Sequence, residues 1–156
     1  MGTFGNSLAV AAAALAGSVG LAHAQVIQSC DVLNTIRAVV EPWEEATRSY
    51  ANGAIRVVHL DTDGEPTCCS SHVAILAPSG EDGLPYRQCK LLSDAEGYRG
   101  FLGVRMADIA SSYDAAKGLL LTIPVDRYDG VQGARKDGPY PVRVRVNQAT
   151  GAITLE

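Results

Sequence analysis

Beyond its first 24 residues the 156-residue chain has no second long apolar run, no internal repeat, no heptad pattern and no low-complexity tract. These absences exclude a stable membrane-spanning helix from the later part of the chain, and with it a solenoid or a coiled coil. Basic residues are the scarcer charge, 13 against 17 acidic, for a formal net charge of -4. A domain of that balance has no overall basic footprint, so nucleic acid is excluded as a partner held by global charge. Catalytic motifs are equally sparse. There is no Gly-x-Ser-x-Gly elbow and no Cys-x-x-Cys pair, and His59 and His72 are the only histidines after residue 24. Gly97-Tyr98-Arg99-Gly100 lacks the glycine spacing and the Lys-Ser/Thr ending of a phosphate loop, and no cofactor is assigned.

What is present begins with residues 1–24. A small, apolar run from Leu8 to Ala22 is followed by Ala22-His23-Ala24, which offers small residues at the positions a signal peptidase reads before Gln25. No Lys or Arg precedes the run, so only the amino terminus supplies positive charge there. The stretch is too short and too rich in Gly and Ala to span a bilayer. Residues 1–24 are expected to be a cleaved signal peptide and residues 25–156 one disulfide-containing domain, periplasmic or secreted. At 132 residues the mature part is long enough for one packed core and too short for two domains.

Its apolar pattern is mostly of period two. Asn52-Gly53 supplies a tight turn between residues 44–50 and the β-branched run Ile55–Leu60. Cys69–Ala77, stopped by Pro78, and Tyr86–Leu92 read as strands. Phe101–Ile109, with Leu102, Val104 and Met106 on one face, reads as another. Leu119–Val125 is apolar on both faces, as a central strand is, with Ser112–Gly118 before it as a turn or a single helical turn. Residues 129–139 read as an exposed excursion in which Arg135-Lys136 is solvated. Val142, Val144 and Val146 alternate with Arg143, Arg145 and Asn147, which buries the valines and turns the arginines to water, and Ala152–Leu155 returns alongside. The segment from residue 30 to 41 suits a short helix and an extended entry equally. The fold class is mainly β, an antiparallel sandwich or small barrel of about seven to eight strands with room for one short N-terminal helix.

In an exported chain the four cysteines, Cys30, Cys68, Cys69 and Cys89, are disulfide candidates with three possible connectivities. A direct hairpin through loop 78–85 sets Ala77 against Tyr86 and Cys89 against Ala74, leaving Cys69 about 17 Å away along the strand. A disulfide needs Cα atoms within about 7 Å. Either those strands are not neighbours and Cys89 reaches Cys68 or Cys69, or Cys89 joins Cys30 and the adjacent pair joins itself. The strain that a bridge between adjacent residues puts on their peptide favours distant partners.

Candidate sites compete with plainer readings. His59, Asp61, Asp63 and Gly64 resemble the start of a calcium loop, but the twelfth position is Ser70, and an acidic Asp-Gly turn accounts for them. Cys68, Cys69 and His72 make a soft ligand set for zinc or Cu(I) only if the thiols stay reduced. Carboxylate neighbours such as Glu44-Glu45 read as solvent-facing. The expectation for function is therefore an exported β-rich domain with a binding or structural role toward a small molecule or a protein, and no catalytic, metal or cofactor residues are assigned. The alternatives are a metal-binding or thiol-redox protein using Cys68, Cys69 and His72, and a small hydrolase built on one of the two histidines.

Overall fold

The computed structural model describes residues 25–30, 36–62, 68–80, 86–97, 99–128 and 138–156. The expected leader, the Asp63-Gly64 turn and the Arg135-Lys136 pair lie outside these residues. Among the described residues are ten strands in two antiparallel sheets, a sandwich that does not close into a barrel. The first sheet contains β1 (Val26–Ser29), β2 (Thr47–Tyr50), β3 (Ile55–Asp61), β4 (Ser71–Pro78) and β5 (Arg87–Ser93), in the order β1-β5-β4-β3-β2. The second contains β6 (Gly103–Val104), β7 (Ala110–Asp114), β8 (Gly118–Asp126), β9 (Tyr140–Val146) and β10 (Ile153–Leu155), in the order β10-β9-β8-β6 with β7 also beside β8.

Period-two patterning builds the core. Ile55, Val57, Val73, Ile75 and Leu92 from the first sheet meet Leu121, Ile123, Val125, Val142 and Val144 from the second, and Phe101 and Met106 belong to the same cluster. Hydrophobic burial of this kind is the main force holding two sheets face to face. The hairpin of β2 and β3 pairs Tyr50 with Ile55, and Ala51, Asn52 and Gly53 in its turn all take positive φ. Asn and Gly tolerate that conformation, which is why the dipeptide marks the turn. The strand expected over residues 44–50 begins only at Thr47, because residues 43–46 form one helical turn, α1 (Trp43–Ala46), started by Pro42. Proline suits a helix start because its missing N–H would have had no partner there.

Two other expectations are corrected in the second sheet. The run from Phe101 to Ile109 is not one strand, because β6 ends at Val104 and a 3-10 turn at Met106–Asp108 follows. Opposite it, Pro124 of β8 accepts a hydrogen bond from the Arg105 N–H at 2.9 Å but has no N–H to return, and the pairing lapses. The core-facing side chains are then Phe101 and Met106, while Leu102 is half-buried. Ser112–Gly118 is likewise not a turn throughout, since β7 runs to Asp114 and pairs with β8 from Ala110↔Thr122 to Asp114↔Gly118. The polar sequence Ala-Ser-Ser-Tyr-Asp hides this strand because all five residues are exposed at a sheet edge.

The β4–β5 hairpin settles the cysteines. Its register is Leu76↔Cys89 and Ala77↔Gln88, two residues from the expected one, and the strands are direct neighbours. Cys89 is bridged to Cys30, with Cα atoms 5.5 Å apart, and Cys68 is joined to Cys69. Distant partners for Cys68 and Cys69 are thus overturned, because the hairpin carries Cys89 away from them to the outer face beside Cys30.

The closing hairpin aligns Val146 with Ile153 and Val144 with Leu155. Val142, Val144 and Val146 are buried and the Arg143 side chain is 52% exposed, as alternation requires. Arg145 departs from it. Its side chain is 13% exposed, with Nε and NH2 donating to the two carboxylate oxygens of Glu156 at 2.8 and 3.0 Å and NH1 donating to the Gly118 carbonyl. The C-terminal residue therefore folds back over the strand, a bidentate geometry that guanidinium makes well. Urea unfolding of the oxidised protein tests the arrangement. Val144→Ala should cost about 1–3 kcal/mol, and Arg145→Ala should lower the midpoint more than Arg143→Ala; equal effects of the two arginine changes would remove the clasp from the account.

Candidate functional site

Histidine chemistry falls on opposite faces of the first sheet. His72 is 1% exposed on the outer face of β4, where its Nδ1 and the Ser93 Oγ share a hydrogen bond at 2.9 Å. Ser93 Oγ also accepts from Gln28 Nε2 at 3.1 Å. Burial pushes the His72 pKa down to about 4, against an upward pull from Asp61, with a further downward contribution from His59. His59 is half-buried on the inner face, and its Nε2 shares a 3.2 Å hydrogen bond with the Ser71 hydroxyl. Its pKa is lowered by burial, with Asp61 again opposing. Both rings are therefore neutral at pH 7, which suits groups withdrawn from water.

Cys68 and Cys69 precede β4 by a few residues, with their sulfurs set against each other. His72 is turned to Ser93 rather than assembled with them. Among the described residues, no group of three or more His, Cys, Asp or Glu comes together to hold a metal ion. The backbone around them is stitched across the sandwich: Ser71 and Phe101 exchange both N–H···O bonds at 3.2 and 2.7 Å, and Gly100 N–H donates to the Cys69 carbonyl at 2.8 Å. A Cβ on Gly100 would sit 2.5 Å from the Ser71 carbonyl oxygen and 2.7 Å from that of Cys69, so only glycine fits this crossing.

Beside this junction lies a cleft of about 510 Å³, within the range typical of small-molecule sites. One wall is the segment entering β2. The Val40 N–H bonds the His59 carbonyl at 3.2 Å, which lays Val40 along β3, and the Ala46 N–H reaches the Pro42 carbonyl to close α1. Thr47 Oγ1 donates to the Trp43 carbonyl, and Arg48 NH1 to those of Glu44, Glu45 and Thr47, satisfying the carbonyls that a helix end leaves open. The other wall is the 3-10 turn, where Arg105 NH2 is pinned to Asp126 Oδ1 at 3.0 Å. The Arg105 Nε is buried without a hydrogen-bond partner among the described residues. The apolar lining is Val40, Ala46, Val104, Met106 and Ala107; the polar lining is Glu41, Glu45, Arg48, His59 and Arg105.

Of these residues, sequence reasoning singled out His59 and took Glu45 as solvent-facing. Arg48 and Arg105 carried no local signal, because their meeting depends on how the two sheets are set against each other. Comparison with protein-family models, curated proteins and solved structures finds no match, so the site is read from its own geometry.

The neutral, buried His72 has a thermodynamic consequence. The unfolded chain takes up a proton near pH 6.5 that the folded ring refuses until about pH 4, so acid favours unfolding through that window. An NMR titration should place the His72 midpoint near 4, and its contribution to stability should be whole above about pH 6.5 and shrink progressively below it. A midpoint at the ordinary histidine value would show that the ring is solvated.

Proposed function

We propose that the chain is an exported β-sandwich domain, periplasmic or secreted, that binds a small molecule reversibly in the cleft between α1 and the Met106–Asp108 turn. The observation that carries this reading is the composition of the cleft, in which apolar walls surround a few charged groups, with Arg48 and Arg105 each held at one nitrogen by the protein. That combination gives a ligand both burial and orientation. Export is supported by the leader pattern and by the Cys30–Cys89 bridge, which suits an oxidising compartment. None of the described helices is long and apolar enough to cross a membrane.

A hydrolytic reading has one observation in its favour, the His59–Ser71 hydrogen bond at the cleft. Against it, Ser71 is 5% exposed and both its backbone groups are taken up by Phe101, so substrate reaches the hydroxyl only if that junction opens. Binding needs no such opening.

The test is a thermal-shift panel of L-leucine, the dipeptide Leu-Leu, glucose, citrate and inorganic phosphate on the oxidised mature protein. Ala107 is exposed at the rim, so Ala107→Trp fills the cleft without touching the core. At least one compound should raise the melting temperature of the wild type and fail to do so in Ala107→Trp. No shift with any of them, or shifts that survive the tryptophan, would overturn the reading.

A further inference from the structure

The charges of the cleft select a ligand class. We infer that it takes a small zwitterion with an apolar side chain, of the amino-acid or dipeptide class, an inference that rests on the cleft being a binding site. With His59 neutral, the charged lining groups are Arg48 and Arg105 against Glu41 and Glu45, and Arg105 is already ion-paired with Asp126, which is not part of the lining. A dianion such as phosphate would meet both carboxylates, and a simple cation would still meet the Arg48 guanidinium, which is in no ion pair among the described residues. A molecule carrying one charge of each sign meets neither penalty.

The individual groups are disposed for this. Arg48 spends NH1 on the carbonyls that end α1, and its Nε and NH2 bond no described residue. Arg105 spends NH2 on Asp126, and its NH1 bonds no described residue. Each guanidinium is thus fixed at one nitrogen and keeps donors to spare, the preorganised state in which carboxylate recognition costs least ordering. On the opposite charge, Glu41 Oε1 accepts from the Trp43 indole N–H at 3.1 Å, whereas the Glu45 carboxylate bonds no described residue. Glu45 is the partner for an ammonium. Val40, Ala46, Val104 and Met106 then supply the apolar surface for a side chain.

The experiment is calorimetric titration of the oxidised mature protein with L-leucine, N-acetyl-L-leucine, L-leucine amide and inorganic phosphate. L-leucine should bind, and removing either charge, by acetylation or amidation, should weaken binding by about tenfold or more, the effect of losing one charge-assisted hydrogen bond. In Glu45→Gln, an exposed substitution that leaves the fold intact, L-leucine should fall to the level of its N-acetyl derivative. Equal affinity of leucine and N-acetyl-leucine in the wild type would overturn the inference, as would phosphate binding more tightly than leucine. If glucose, citrate or phosphate binds and Ala107→Trp blocks it while leucine does not bind, the cleft remains a binding site and only the zwitterion is lost. If nothing binds in a tryptophan-sensitive way, both fall.

Discussion

The bridge between Cys30 and Cys89 is the constraint on which the rest of this sandwich depends. β1 and β2 follow one another in sequence yet occupy opposite edges of the first sheet, so the chain between them has to pass over three strands. That sheet is apolar on its outer face too. Leu60, Ala74 and Leu91 are buried there in a second cluster together with Cys30 and Ala38. The disulfide holds the start of the passage to β5, and its end runs beside β3 through the Val40–His59 hydrogen bond. Joining residues 59 apart in sequence removes about 4 kcal/mol of chain entropy from the unfolded state in the loop-closure model. The more local effect is that an apolar face stays covered.

The same passage delivers Pro42 and α1 to the mouth of the sandwich, where they become one wall of the cleft. The other wall depends on an irregularity in the second sheet. Pro124 interrupts the ladder beside β8, the 3-10 turn follows, and Arg105 is left at the opening with Asp126 to hold it. A cleft forms where two regular sheets each depart from regularity, one through a helical turn and the other through a proline. Between them Gly100 allows the backbones of the two sheets to close on each other, as no residue with a side chain does.

Much of the fold was legible in the sequence because burial of one face imposes period two. The valines of β9, the central position of β8 and the Asn52-Gly53 turn all follow from local pattern. β7 did not, since an exposed edge strand has no buried face to set its period. The stretch from Phe101 to Ile109 misled because an apolar run at strand spacing is also compatible with a turn that plants Met106 in the core. The hairpin argument correctly kept Cys89 apart from Cys68 and Cys69, but the preference for distant partners ran against it. Arg145 looked solvent-facing by alternation, and only the return of Glu156 withdraws it from water. Of the cleft, His59 was visible as one of two histidines, and Glu45 and Arg48 are near neighbours in sequence, whereas Arg105 joins them through tertiary placement that no local spacing encodes.

The central claim is that the Cys30–Cys89 bridge fixes the wall of the cleft and not merely the stability of the whole. Hydrogen exchange on the Cys30→Ser/Cys89→Ser double variant tests it most directly. The account predicts that the amides of Val40 and Ala46 exchange at close to the unprotected rate while the amides of β8 remain protected. Protection retained at Val40, or lost from β8 to the same degree, would contradict it.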